Sequence, residues 1–535
     1  MKHHRQSGSR RGVVLIVVLV LVVMVALAGF GFLAAMSTEY EAARLNGGLL
    51  QAKQTMASAE STLNWFAALS ERERLVMGGW HHNPTLFRGR TVVPLSAIGS
   101  NATTAQPGIP VEEQSVSLDL TDDRWRFSVV TVDVTAEQNA VLRFGLQNES
   151  SKLHLTNILR WDQATPGHGR AALMQLPGMT EAVADSILDW MDADDQPREF
   201  GAESDYYQTL DRPYYAANAV PQRLTELLYV KGVTRRMLMG SQHADPLAVG
   251  DQNSQQGEFP AMEANGDFAT DPATAGLGWN HFLTIHSGER NRNRSGQPRV
   301  LLNTTSLTVL EQQLTGVLTE NLVRYILLAR VYGLTPSAGP GVEPSAAPFS
   351  LSMVPAFQIT SAADLIDSVV QVSSPSGTIV VQSPLQASNP DFVTLVSALL
   401  DQVTIDPESV IYGRINISTA SETVLRTIPG MTPEVISQIV TQRDTLDTEQ
   451  GDSVAWLLAR NVLDMATFRN VFPEITTGGD VFQCEIVVHR AIGGPMLRKN
   501  LILDAASSPV RRVQCTDLTD KPLRYSHKLL LPPLQ

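Results

Sequence analysis

Residues Val13 to Met36 form an uncharged, almost wholly apolar run of about 24 residues. As a helix rising about 1.5 Å per residue it is about 36 Å long, enough to cross a bilayer with some tilt. Lys2, Arg5, Arg10 and Arg11 precede the run without any acid, and Glu39 and Glu41 follow it. That asymmetry predicts a cytoplasmic N-terminus and a body on the far side of the membrane. A secretion signal has a shorter apolar stretch, about 7–15 residues, so this run reads as a retained anchor.

The body is of another kind. A length of 535 residues suggests about three or four domains. With 43% hydrophobic and 18% charged residues, most of the chain can bury real cores. The net charge of −13 argues against a broad nucleic-acid surface, which needs clustered Lys and Arg. Only Cys484 and Cys515 are present, which excludes a disulfide scaffold and a four-cysteine zinc site. Outside the cytoplasm those two could pair; the alternative is two buried thiols.

Past the anchor, residues 37–75 are rich in Ala, Leu, Glu, Gln and Arg and predict a continued helix. Ser37 or Thr38 could cap it locally, and Gly47–Gly48 would allow a bend. Residues 113–120, 124–135 and 140–148 alternate apolar and polar side chains and predict strands. Lys152 to Met239 reads as largely helical, and 241–300 as a long polar loop with a short strand at 281–287. A Pro/Gly/Ser/Ala linker follows at 334–348. Strands are expected at 349–360 and 378–384, and a closing hairpin around Gly493–Gly494.

An internal repeat is the most specific pattern. Pro177-Gly178-Met179-Thr180 matches Pro429-Gly430-Met431-Thr432 without gaps, with Val183/Val435 and Ile187/Ile439 in step. A third copy aligns Asn303 with Asn416, Thr319 with Thr432, Ile326 with Ile439 and Arg330 with Arg443, but lacks the Pro-Gly. Each copy reads as helix, tight turn, helix, with the Thr capping the second helix. This resembles the helix-hairpin-helix, or SAM-like, unit. The DNA-binding form of that unit holds phosphate on backbone N–H groups. Here Glu181, Asp185, Asp189, Asp192, Asp194 and Asp195 would repel phosphate, so a packing role is expected.

The acidic loop after the first hairpin invites a metal. Asp192, Asp194 and Asp195, with Glu199 and Glu203 further on, offer the hard oxygen ligands that suit Ca²⁺. A solvated acidic loop is the alternative. No Walker loop, dinucleotide fingerprint or H-E-x-x-H is present, and nothing argues for an enzyme.

A short basic leader ending in Gly12, with the apolar run starting at Val13, resembles type IV pilins and type II secretion pseudopilins. In those families a peptidase cuts after the glycine and the new N-terminus is methylated. Their fifth mature residue is usually Glu, and here it is Val17. A carboxylate in the bilayer is costly unless paired, and a subunit without one suits the end of a filament. Among pseudopilins this departure marks the K-type minor pseudopilin. Ile187, Asp189, Trp190, Asp192, Asp194, Gly201, Ala202, Glu203, Tyr206 and Tyr207 follow the signature of that family's inserted domain in order.

The resemblance implies an α+β fold. It would have a pilin-like long N-terminal transmembrane helix plus an antiparallel sheet, with inserted helical SAM-like or helix-hairpin-helix domains. The expected parts are a leader at 1–12, a transmembrane segment at 13–36, a periplasmic helix at 37–75 and a pilin-like β region at 85–150. An inserted α-domain with two hairpin repeats at 151–333 follows, then a linker and strands at 334–400. A third hairpin unit at 401–465 and a C-terminal β-hairpin at 466–520 complete the chain. It also implies a single-pass protein of the bacterial inner membrane with its bulk in the periplasm, and Ca²⁺ in the inserted domain. The implied partners are I- and J-type minor pseudopilins, the prepilin peptidase, an inner-membrane assembly platform and secreted cargo. Two rivals stay open: a membrane-anchored DNA-uptake protein built on the hairpins, and a minor tip pilin of a type IV pilus.

Overall fold

One helix, α1 (Arg11–Ala68), carries the chain from the apolar run into the body. The computed structural model describes residues 11–91, 124–134, 140–240, 277–335, 341–374, 377–446, 451, 453–521 and 526–531. From Leu15 to Gly47 every side chain of α1 is exposed, so this half finds no partner within the described residues. It is long and apolar enough to cross a membrane. From Ala52 on the pattern changes. Ala52, Met56, Ala59, Leu63 and Phe66 are buried at spacings of four and three, which aligns them as one stripe. Burying each of Met56, Leu63 and Phe66 contributes about 1.5–3 kcal/mol. The expected cap and bend do not occur. Thr38 bonds back to the Ala34 carbonyl at 2.9 Å in mid-helix, and Gly47–Gly48 lie within unbroken helix. A short helix, α2 (Glu71–Val76), follows behind a capping box made by Ser70 and Glu73.

The stripe packs on a seven-stranded antiparallel sheet. Its strands are β1 (Arg90–Thr91), β2 (Trp125–Val134), β3 (Ala140–Phe144), β4 (Gln147–Asn148), β5 (Val481–Arg490), β6 (Leu497–Asp504) and β7 (Arg511–Asp517). The order along the sheet is β1-β2-β5-β6-β7, with β3 on β2 and β4 on β5. β2 pairs directly with β5, Val130 opposite Glu485, so all of residues 149–480 is an excursion between two strands of one sheet. The closing hairpin is β5–β6, as the sequence predicts. β7 was not expected; it forms the outer edge, with all seven residues exposed. The strand expected at 113–120 lies outside the described residues.

Of the two alternatives for Cys484 and Cys515, the register is at odds with pairing. Both sit opposite Leu501 of β6, Cys484 from β5 and Cys515 from β7. Two ladder spacings separate their α-carbons by about 10 Å, beyond the reach of about 7 Å that a disulfide spans. Cys484 is buried, Cys515 is exposed, and both are free.

Three helical units make up the excursion, each opened and closed by a two-residue parallel strand pair. Leu153–His154 pairs with Leu283–Thr284, Val300–Leu301 with Val403–Thr404, and Ile415–Asn416 with Ile475–Thr476. In each closing strand the threonine hydroxyl accepts the N–H two residues on: Thr284 from His286, Thr404 from Asp406, Thr476 from Gly478. The units therefore close later than the expected 333 and 465. The described residues of 334–400 are no separate linker; the hairpin Val369–Ser374 with Gly377–Gln382 belongs to the second unit, and Val370, Val372 and Val381 join the helical core.

Each aligned repeat forms two helices about a turn. The first has α3 (His168–Leu173) and α4 (Glu181–Met191), the second α5 (Leu307–Leu314) and α6 (Glu320–Tyr332), the third α7 (Glu422–Leu425) and α8 (Pro433–Arg443). Gly178 and Gly430 take φ of +67° and +88°, which a side chain resists. Thr180 and Thr432 accept from the N–H of Val183 and Val435, as a cap should. The second unit lacks Pro-Gly but places Gly316 at φ +90°, so another glycine supplies the turn. Residues 349–360, expected as a strand, are irregular. The Ala356 and Phe357 N–H groups donate to the Arg330 carbonyl, and the Ile359 N–H donates to Asn303 Oδ1. These bonds tie the segment to a helix end and a side chain instead of to a neighbouring strand.

Candidate metal centre in the first inserted unit

The site grows from the C-terminal half of α4. Asp185, Asp189 and Asp192 recur at helical spacing and so share one face. That face turns inward: Asp185 and Asp189 are fully buried, and Asp192 is 9% exposed. Buried carboxylates need partners, and each has one. Arg170 holds Asp185 bidentately, Nε to Oδ1 and Nη2 to Oδ2, both at 2.6 Å. Arg198 reaches Asp189 at 2.7 Å, Asp162 at 3.0 Å, and Asp192.

Glu203 closes the group from the loop. Its side chain is buried, and neither Oε1 nor Oε2 has a hydrogen-bond partner; Asp192 Oδ1 is likewise buried without one. One carboxylate oxygen from each of Asp189, Asp192 and Glu203 lies within 4.8 Å of the others. Oxygens on opposite sides of one Ca²⁺ would be about 5 Å apart, given Ca–O distances of about 2.3–2.6 Å. The donor set is all hard oxygen, and three of its oxygens are orphaned, so the residues present fit a calcium-like cation.

Charge says the same. Burial pushes Glu203 up to about 7, helped by the charges of Asp189, Asp192, Asp195 and Asp194. Asp189 and Asp192 are also raised by burial, which outweighs their bonds to Arg198. One guanidinium does not neutralise four carboxylates, and a divalent cation would supply the missing charge.

Packing fixes the loop. Trp190 meets Tyr207 edge-on at 5.2 Å, and Tyr207 stacks on Tyr214 at the same separation. Gly201 passes so close that a Cβ there would stand 1.8 Å from Asp189 Oδ2.

Of the five residues the sequence nominated, the structure brings Asp192 and Glu203 into this cluster. Asp194, Asp195 and Glu199 are exposed and stand outside it. Asp194 Oδ1 accepts from the Gln196 N–H, and Asp195 Oδ1 from the Ser204 hydroxyl and Asn218 Nδ2. Sequence reasoning missed Asp189 as a ligand candidate, with Asp162 and Arg198 as its neighbours. The available signal was the 185/189/192 spacing. Asn218, held at φ +45° with its Oδ1 buried and unpartnered, also borders the loop.

A long apolar stem laid on an antiparallel sheet, with a helical head that carries a carboxylate cluster, defines an α+β protein. Residues 152–240, the segment that carries this site, match the family model described as Type II secretion system (T2SS), protein K. The chain is similar to a putative type II secretion system protein K of Escherichia coli K12, 38% identical over 60 residues, 11% of this chain and 18% of that protein. It is also similar to the type II secretion system protein K of Pectobacterium carotovorum subsp. carotovorum, 28% identical over 137 residues, 24% and 36% of the two chains. The matches thus span well under two thirds of either relative. A solved GspK–GspI–GspJ complex from the type 2 secretion system of enterotoxigenic Escherichia coli aligns over 89% of this chain and 98% of its own, at 11% identity and a TM-score of 0.36.

Proposed function

We propose that this chain is a K-type minor pseudopilin at the tip of a type II secretion pseudopilus, where it starts assembly and supports protein export across the outer membrane. The observation that carries the reading is α1. From Leu15 to Met36 it is exposed and apolar, its second half is built into the sheet, and the head behind it holds the protein K segment. A stem of this kind is at home in a bilayer until it is drawn into a bundle of similar stems. Val17 offers no carboxylate to a subunit above it, so the chain ends a stack rather than extending it. The prepilin peptidase cuts after Gly12, and Val13 becomes the methylated N-terminus. The N-terminal side faces the cytoplasm and the head the periplasm.

I- and J-type minor pseudopilins are the neighbours in this reading; a K–I–J complex is what the aligned solved structure contains. The assembly platform and exported cargo are the further partners. Asp189, Asp192 and Glu203 would hold Ca²⁺, which would supply positive charge to a cluster that Arg198 only partly neutralises.

Mass spectrometry of the N-terminus, on protein purified from membranes, tests this. N-methylated Val13 is expected, and a retained leader refutes the reading. So would recovery of the chain along the whole pseudopilus shaft instead of at one end.

A further inference from the structure

Where the stem meets the head, α2, the ribbon 288–300 and the third unit enclose a cleft of about 110 Å³. Six arginines line it: Arg74, Arg290, Arg292, Arg294, Arg299 and Arg414. Four carboxylates, Glu71, Glu289, Asp401 and Asp480, line it with them. In a chain of net charge −13 this is a local excess of cations.

Three of the arginines are largely served, Arg74 short only of a partner for its buried Nε. Arg74 holds Asp480 at 2.8 Å. Arg290 donates to backbone carbonyls at the end of α1 and to that of Ala505. Arg299 reaches Glu289 at 3.1 Å and the Asp401 carbonyl at 3.2 Å. The other three are not. Arg414 has a side chain only 17% exposed, yet its nearest carboxylate oxygen, Glu289 Oε2, stands at 3.8 Å, beyond hydrogen-bond range. It rests instead over the Phe472 ring at 5.2 Å. The exposed Arg292 makes one side-chain bond, to the Gly296 carbonyl at 2.7 Å. The half-buried Arg294 bonds through its backbone N–H to Asp401, and its guanidinium has no acceptor among the described residues.

Three of the four carboxylates are already committed. Glu289 serves Arg299 and the Thr476 hydroxyl, and Asp480 serves Arg74 and the Arg290 N–H. Asp401 accepts from the Arg294 N–H and Gln402 Nε2. Each guanidinium carries five N–H donors in a planar fork matched to carboxylate and phosphate oxygens. Donors left open in a cleft of this size call for an oxyanion.

We propose that this cleft is an oxyanion site, which takes a phosphate or carboxylate group on Arg414, Arg292 and Arg294 at the joint between stem and head. A bound anion ties the third unit, through Arg414, to the ribbon that also grips the stem helix. The site therefore stiffens the attachment of head to stem.

Isothermal titration of the detergent-solubilised full chain tests it, with inorganic phosphate in one arm and glutarate in another, in chloride buffer of matched ionic strength. Saturable binding is expected in at least one arm, weakened about tenfold or more by Arg414→Gln and by Arg294→Gln. Arg294 is only half-buried, so its variant keeps the test alive should Arg414→Gln misfold. Binding of phosphate alone points to a phosphate source, and binding of glutarate to a protein carboxylate. No saturable heat in either arm up to about 10 mM, or binding untouched by Arg294→Gln, overturns the proposal.

Discussion

The guanidinium of Arg290 donates from Nη2 to the carbonyl oxygen of Ala67 at 3.1 Å, and from Nη1 to that of Leu69 at 3.3 Å. The last carbonyls of a helix have no partners of their own, and they form the negative end of its dipole. Here a residue more than two hundred positions away satisfies them and brings a positive charge. Asp480 completes the joint by accepting from Arg74 Nη2 and the Arg290 N–H, at 2.8 and 2.9 Å. Stem, ribbon and the start of β5 thus meet at one hub. Arg290→Met should remove the cap and leave those carbonyls short of donors. A loss of about 2–3 kcal/mol is expected, read by chemical denaturation of the full chain in detergent.

A glycine tests the cluster without touching a carboxylate. In Gly201→Ala the new methyl would collide with Asp189 Oδ2 and drive that side chain away from Arg198. The expected cost is about 1–3 kcal/mol, with a smaller thermal response to calcium. Gly178→Ala is the control. It meets no atom within 4 Å but sits at φ +67°, so it should cost about 1–2 kcal/mol and leave the calcium response intact. Equal loss of calcium response in both variants would speak against the site.

Legibility followed length and period. The long apolar helix was plain because its length and composition suffice to cross a membrane, and the sheet's hairpin because β5 and β6 are 10 and 8 residues long. Two of the three helical repeats declared themselves through the turn and its capping Thr; Thr319 makes no such side-chain bond, and its copy was read from the alignment alone. Their closing strands did not, because two residues such as Leu283–Thr284 carry no period. Within the site, Asp192 and Glu203 were readable from acidic clustering. Asp189 was hidden because inside a helix beside Trp190 it passes for part of an ordinary face. Asp194, Asp195 and Glu199 misled because a run of acids does not reveal which of them the loop turns inward.

Glu203 makes stability depend on pH in a defined direction. The folded chain keeps its proton up to about 7, whereas the unfolded chain releases it near the ordinary 4.5. Between those values the folded state holds more protons than the unfolded one, so stability falls as pH rises through that window. Asp189 and Asp192 are raised too and act in the same sense. With a chelator present, the melting temperature of the full chain should carry this downward contribution from pH 5 to pH 8, and Glu203→Gln should flatten it. Calcium favours the ionised form, so the rise it causes should be larger at pH 8 than at pH 5. A calcium effect that shrinks with rising pH would contradict the assignment of Glu203 as a ligand.

The two thiols provide an independent check on the register of the sheet. Leu501 stands between Cys484 and Cys515, so no oxidant should join them without breaking β6 out of the ladder. Burial pushes the Cys484 thiol far up, and the residue is 2% exposed, so it is neither ionised nor reachable in the folded chain. Cys515 on the edge strand is open to solvent. A maleimide added to unreduced native protein should therefore label Cys515 alone, and labelling of Cys484 should appear only on unfolding. Cys515→Ser should abolish the native reaction. Absence of any free thiol before reduction would instead require the pair to be bridged, and would show the β5-β6-β7 order to be wrong.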